Sequence, residues 1–289
     1  MVKAMNKINF PDINCDGFFS TCLLSVSRRK QGYKEKLTNI SNLVEEEWSV
    51  FDRYINPKNL YRLSPCRIRE PDQIIIENVT KKELMDLYST YMCKQKSQSR
   101  KIYDLLRASS KNGICPLCGI NGVATLDHYL PKSRYPLHSV NPRNLIPACE
   151  SCNTGKGSGI FLSESEQTLY PYDDTNKFYS TDWITATIIK DEILTFEFFA
   201  TPPDEWSQNE RERVINHFEG YNLSQKYSIN SAQFITTVIT MIRTLLIAGD
   251  HTNVHEHFNN LASNVPANST LRAMYRAVAS DPVICRGDF

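Results

Sequence analysis

The sequence has no long, uninterrupted apolar run. Its longest apolar stretch, 234–248, contains Arg243 and four threonines and is too short to cross a bilayer. The opening residues, MVKAMNKINFPD, lack the continuous apolar segment of a secretory signal. No membrane partner is therefore expected. There is no internal repeat and no low-complexity tract, which excludes a solenoid or a propeller. The segment Asn153–Ser158, NTGKGS, has only a superficial likeness to a phosphate-binding loop. The first glycine and the Ser or Thr after the lysine are missing, so the chain has no nucleotide-hydrolysing loop of its own. Neither a Gly-x-Ser-x-Gly elbow nor a dinucleotide fingerprint is present.

Cysteine is not scarce, but it lacks the pattern of a disulfide scaffold. Of nine cysteines, Cys15, Cys22, Cys66, Cys93 and Cys285 are scattered along the 289 residues. The other four form two Cys-x-x-Cys pairs. This usage suits a reducing, cytoplasmic compartment.

The charged share of 22% and hydrophobic share of 41% are those of a globular chain long enough to bury a core without staples. The net charge of +1 hides an asymmetry. Residues 1–114 carry a net +7, residues 115–159 a net +2 and residues 160–289 a net −8. The basic front and centre suit a polyanion, and the acidic back does not. Three regions are expected: a mostly helical 1–110, a central core over 111–160, and a hairpin plus helices over 161–289.

Local patterns fill in these regions. Residues 18–26 suit either a short strand or a buried helical turn. A helix is expected over Asn39–Tyr54, with Ile40, Leu43, Val44, Trp48, Phe51 and Tyr54 near one face and Pro57 as its stop. The segment 61–71 reads as an extended basic loop. Thr80 and Glu83 form a capping-box pattern, followed by Leu84, Leu87, Tyr88 and Tyr91 at helical spacing. A further helix over Ser99–Ser109 turns Ile102, Leu105 and Leu106 inward and ends at Asn112-Gly113. Thr181–Lys190 and Ile193–Ala200 read as a hairpin around Asp191-Glu192. Helices follow over Asn209–Phe218, stopped by Gly220, and over Ser228–Ala248, the longest, with an apolar face in the core and Gly249 as its end. A last helix is expected over Leu271–Ala279.

The stretch from Cys115 to Lys156 carries the chemistry. Cys115, Cys118, Cys149 and Cys152 put four thiolates within reach of one ion, the ligand set of a closed structural Zn²⁺ site. The residues between the pairs exceed what a minimal zinc ribbon needs, and they hold acid–base groups. Asp127 and His128 stand at the end of a predicted strand, Thr125–His128. Neighbours on a strand point to opposite faces unless the backbone bends. A carboxylate and an amide oxygen suit a hard divalent cation, and an imidazole suits proton abstraction from water near neutral pH. Lys132 and Arg134 lie in a proline-bracketed basic loop suited to backbone phosphates. Lys156 is a third candidate for a phosphate contact.

The order Cys-x-x-Cys, Asp-His, Asn, Cys-x-x-Cys-Asn, Lys resembles the HNH (ββα-metal) endonucleases with an added zinc knuckle. The resemblance implies that His128 is the general base, and that Asp127 and Asn153 hold a catalytic Mg²⁺ or Mn²⁺. It further implies that Asn144 holds the loop and orients the base. Asn153 departs from the more frequent histidine at that position. The flanking LDHYLPKS, NPxNLIP and YPYD segments are similar to the HNH component of Septu-type and retron-associated antiphage systems. That similarity implies a partner, an ABC/SMC-like ATPase. The expected fold is α+β, mainly α-helical, with a central zinc-stapled ββα-metal core flanked by helices and one β-hairpin.

The expected activity is DNA cleavage in antiphage defence. The alternatives are cleavage of structured RNA such as tRNA, or a catalytically inactive zinc-bearing module that binds nucleic acid or protein. His251, His255 and His257 read as a surface cluster rather than a metal site, and His138 and His217 show no partner pattern. The helices before the core and the acidic C-terminal half are the candidates for partner docking.

Overall fold

The computed structural model describes residues 2–56, 58–190, 194–247 and 251–287, without the side chains of His251 and Thr252. The stops expected at Pro57 and Gly249, the turn at Asp191-Glu192 and the side chain of His251 lie outside the described residues. The fold is α+β and mainly helical, with small two-stranded antiparallel sheets. Among the described residues no helix is long and apolar enough to cross a membrane. The chain forms two compact units. One is made of 8–113 and 122–173, the other of 1–7, 114–121 and 174–289.

The first unit begins with α1 (Phe18–Leu23), α2 (Gln31–Asn39) and α3 (Ser41–Ile55). Of the two forms open to residues 18–26, the helical one occurs. Phe18, Phe19, Cys22 and Leu23 are buried on it, the spacing of one helical face. The buried stripe of α3 runs Val44, Trp48, Phe51, Ile55. Leu43, expected on that stripe, is 39% exposed. One position along a helix turns a side chain by about 100°, enough to bring it out of the core.

The short ladder of β1 (Ile74–Ile76) and β2 (Val79–Thr80) leads into α4 (Lys81–Asp86). The capping box forms as read. Glu83 N donates to Thr80 Oγ1 at 3.3 Å, and Thr80 N donates to the Glu83 carboxylate at 2.8 Å. Beyond α4 the chain widens into a π-helical turn, Leu87–Met92, which buries Leu87, Tyr88, Tyr91 and Met92. On α5 (Arg100–Ala108) Tyr103 and Leu106 face inward, but Leu105 is 48% exposed, against expectation. Tyr103 takes the place assigned to it because an aromatic ring at that position reaches the core. Asn112 and Gly113 both have positive φ, 56° and 67°, and the helical run ends there.

Two strands, β3 (Thr125–His128) and β4 (Leu145–Ala148), and helix α6 (Glu150–Gly155) complete this unit. Leu126, Val140 and Leu145 join Phe19, Leu37, Val44, Trp48, Leu87, Met92 and Leu106 in one apolar cluster. Each such large side chain contributes about 1.5–3 kcal/mol when fully buried. The core of the surrounding helices therefore fixes the two strands.

The second unit contains α7 (Lys177–Ser180) and a hairpin of β5 (Ile184–Lys190) and β6 (Leu194–Ala200). The register is unbroken from Ile184↔Ala200 to Lys190↔Leu194. Leu194, Phe196 and Phe198 are buried while Thr195, Glu197 and Phe199 are exposed, the period-two pattern of a strand with one covered face. Helix α8 (Gln208–Gly220) opens on a second capping box, Ser207 with Glu210, and ends on Gly220. Arg213 and Asp174 form a buried bidentate pair, at 3.1 and 2.8 Å.

The single long helix expected over 228–248 is broken. Instead α9 (Leu223–Ser231) and α10 (Ile235–Ile247) flank a 3₁₀ turn, Ala232–Phe234. Ser231 Oγ donates to the Ser228 carbonyl at 2.7 Å, competing with the helical ladder at the break. Only Val238 and Ile242 of α10 are buried, and Ile247 is 88% exposed, so its apolar face is largely outside the core. The unit ends with α11 (His251–Ser263), α12 (Thr270–Ser280) and α13 (Pro282–Arg286). Asn268 ties the start of β5 to the turn before α12. Its Oδ1 accepts from Trp183 N and Ile184 N, and its Nδ2 donates to the carbonyls of Phe178 and Thr181.

Candidate nuclease site

The four paired cysteines meet. Their sulfurs all lie within 4.8 Å of one another and all four residues are buried. None is in a disulfide. A tetrahedron with zinc–sulfur bonds of ~2.3 Å has edges of about 3.8 Å, so the cluster can hold a zinc ion. The Cys115–Gly119 turn is closed by Gly119 N donating to Cys115 O at 2.8 Å. Gly119 has φ +68°, and a Cβ there would come within 2.1 Å of Met5 N. His217 Nε2 donates to the Leu117 carbonyl at 2.8 Å, and Tyr227 Oη lies 3.2 Å from the Cys118 carbonyl. The sequence showed no partner for His217; in the fold it props this turn. Cys149 caps α6, and Cys152 lies in its first turn.

The strands pair Thr125↔Ala148, Leu126↔Pro147, Asp127↔Ile146 and His128↔Leu145. With α6 they form a ββα unit. Asp127 and His128 are both buried, at 4% and 7% exposure, and they engage different neighbours, as strand alternation requires. His128 Nε2 lies 2.8 Å from the Ser139 carbonyl. A carbonyl oxygen only accepts, so Nε2 carries the proton and Nδ1 of the neutral ring keeps its lone pair. Tyr88 packs edge-on against the imidazole, with centroids 4.4 Å apart. Burial, with the charges of Lys132 and Lys156, pushes the imidazole down to about 3. The ring is therefore neutral near pH 7.

Asn144 is fully buried and occupied at three positions. Its Oδ1 accepts from Leu130 N at 2.7 Å, and its Nδ2 donates to Leu130 O at 3.0 Å and His138 O at 3.1 Å. It thereby staples the loop after His128 to the start of β4.

Lys156 follows α6 and is nearly buried. Its Nζ lies 3.7 Å from Asp127 Oδ2 and donates to the carbonyls of His128 and Tyr129 at 3.2 and 2.5 Å. Burial lowers its pKa, and Asp127 opposes that shift. Asn153 is half-buried on α6. It stands three positions before Lys156, about one helical turn away. Lys132 Nζ lies 4.7 Å above the Tyr88 ring and 3.4 Å from Ser89 Oγ. Arg134 is half-buried, and its Nε has no hydrogen-bond partner among the described residues.

Residues 115–159 match the family model described as HNH endonuclease. The chain carries an HNH endonuclease domain. Over 173 residues it is 32% identical to Protein ea31 of Escherichia phage lambda, covering 59% of this chain and 58% of that protein. Over 50 residues it is 44% identical to Septu protein PtuB of Bacillus thuringiensis, covering 17% of this chain and 19% of that protein. The chain thus spans less than two-thirds of the length of either relative. No solved structure matches it.

Three groups complete the geometry and escaped the sequence reading: the Ser139 carbonyl within the HNH domain, and Tyr88 and Trp48 before it. Tyr88 was legible only as an apolar position on a helix, and a main-chain carbonyl leaves no trace in a sequence. His138, read as unpartnered, is 2% exposed and lies 3.6 Å from the Glu47 carboxylate. His255 Nδ1 bonds the Ala279 carbonyl at 2.8 Å. Among the described residues the four cysteines form the group suited to sharing an ion.

Proposed function

We propose that this protein is a metal-dependent endonuclease that hydrolyses phosphodiester bonds of DNA. The observation that carries the reading is the His128 imidazole, neutral, with its proton directed to Ser139 and Nδ1 left as a base. In this reading His128 takes the proton from the attacking water, and Asn144 fixes the loop that aligns it. Asp127 and Asn153 offer hard oxygen donors to Mg²⁺ or Mn²⁺. The donor set fits such an ion, because Asp127 already accommodates the Lys156 ammonium beside it. When bound, the cation supplies Lewis acidity at the phosphate. Lys132 and Arg134 are the proposed backbone contacts. Lys156 is proposed as the holder of Asp127 more than as a phosphate contact, because its side chain is 8% accessible. Zinc at Cys115, Cys118, Cys149 and Cys152 stays out of the chemistry.

The proposed setting is the bacterial cytoplasm, in antiphage defence, with an ABC/SMC-like ATPase as controlling partner. The likeness to a Septu protein supports it. A second reading is a nuclease serving a phage, favoured by the longer likeness to a phage protein. The test is incubation of the zinc-loaded protein with plasmid and with total tRNA in Mg²⁺ or Mn²⁺, with and without an ABC/SMC-like ATPase of the proposed kind. Cleavage of plasmid that disappears in a folded His128→Ala variant is the expected result. Cleavage of tRNA alone would move the substrate to RNA. Binding without turnover under every condition would make the protein an inactive module.

A further inference from the structure

The turn that receives the His128 proton is held from outside the HNH domain. Three consecutive carbonyls, those of Leu137, His138 and Ser139, each accept from a different side chain. Trp48 Nε1 donates to Leu137 O at 2.9 Å, Asn144 Nδ2 to His138 O at 3.1 Å, and His128 Nε2 to Ser139 O at 2.8 Å. Peptide units are planar and share their Cα atoms. Fixing the first two carbonyls therefore restricts where the third can point. Helix α3 adds a second grip on the same turn. His138 is buried against the Phe51 ring, with centroids 5.3 Å apart, and lies 3.6 Å from Glu47 Oε1. Its Nδ1 is 3.3 Å from Asn141 Nδ2. Glu47, Trp48 and Phe51 lie on one stretch of α3, and Trp48 is itself anchored edge-on by Phe19.

We infer that α3 is a positioning element for the base, with Trp48 as its main positioning residue and Glu47 as a secondary one. By holding Leu137 and His138, they aim the Ser139 carbonyl at Nε2 and keep His128 in the tautomer with Nδ1 free. This rests on the nuclease reading for its effect on turnover, but the proton position is a property of the folded protein alone.

Trp48→Phe tests this. The phenyl ring keeps part of the apolar contacts, loses the N–H and is smaller than indole, so the tautomer reading is the one that separates lost hydrogen bonding from lost packing. The expected result is a kcat about tenfold lower at unchanged KM, in line with the sensitivity of catalysis to small misplacement. Zinc content and far-UV circular dichroism stay as in wild type. In ¹⁵N-histidine spectra of the zinc-loaded protein, an Nδ1–H signal for His128, absent in wild type, appears in the variant. Glu47→Ala changes a partly exposed side chain and is expected to shift both readings in the same direction, by about threefold in kcat. If Trp48→Phe fails to fold, Glu47→Ala decides. Unchanged tautomer and kcat within twofold of wild type would overturn the inference. If wild type cleaves nothing, the nuclease reading falls, and the tautomer shift alone still upholds or overturns the positioning role of α3.

Discussion

Asn144→Asp is the sharpest single perturbation of this site. The change alters side-chain volume very little, so packing cannot account for its effect. It alters hydrogen bonding completely at two of three positions. The Leu130 amide keeps an acceptor, but the carbonyls of Leu130 and His138 lose their donor. Both then face a carboxylate in a position with no solvent exposure. A buried polar group without a partner costs about 1–3 kcal/mol, and more where a charge is involved. We expect a loss of about 3–5 kcal/mol. With a urea slope of about 2 kcal/mol/M, that is a midpoint lowered by roughly 1.5–2.5 M. The assay is urea unfolding of the zinc-loaded variant at pH 7, followed by tryptophan fluorescence. A loss under 1 kcal/mol would refute the claim that the amide is the staple of this loop. Asn144→Ala should cost about 3 kcal/mol, because water entering the space left behind can satisfy part of what the amide did.

Acid should weaken the fold through His128. The folded protein keeps the imidazole neutral down to about pH 3, whereas the unfolded chain takes up a proton near its usual 6.5. The contribution is intact above pH 6.5 and is lost as pH falls toward 3, at about 1.4 kcal/mol per unit. The difference in unfolding free energy between wild type and His128→Ala isolates it, and parallel curves between pH 4.5 and 6 would refute it. Lys156→Met removes an ammonium 3.7 Å from Asp127. Mn²⁺ should then bind about tenfold more tightly, or 1.4 kcal/mol, and unchanged affinity by titration calorimetry would argue against a metal at Asp127. Metal analysis should find one zinc per chain, lost in Cys118→Ser together with several kcal/mol of stability; a zinc-free, equally stable wild type would refute the four-thiolate site.

Features set by local chemistry were legible in the sequence. Within each Cys-x-x-Cys pair the sulfurs come together because two ligands three positions apart already face one point. Thr80 with Glu83 started a helix because both bonds of the capping box are local. The hairpin followed from two runs of β-branched and aromatic residues separated by a charged stretch, and its strands pair from Ile184↔Ala200 to Lys190↔Leu194. The misses needed distant information. Leu43 and Leu105 look like core residues by periodicity, but which face of a helix is covered depends on what packs there. The long apolar helix broke because a hydroxyl at Ser231 found the Ser228 carbonyl. Lys156 was expected as a phosphate contact. Only the fold shows the two carbonyls and the carboxylate that draw it inward.

The contact over Gly119 bears on the order in which the chain can fold during synthesis. Residues 4 and 5 leave the ribosome early, but the seat they occupy is the Cys115–Gly119 turn. That turn is propped by His217 and Tyr227, which emerge much later. By contrast, every residue of the unit bearing Asp127, His128 and Asn144 has been made once position 173 is passed. A chain arrested there would already hold Asp127, His128 and Asn144 in place, while residues 4 and 5 would still be waiting for a finished seat.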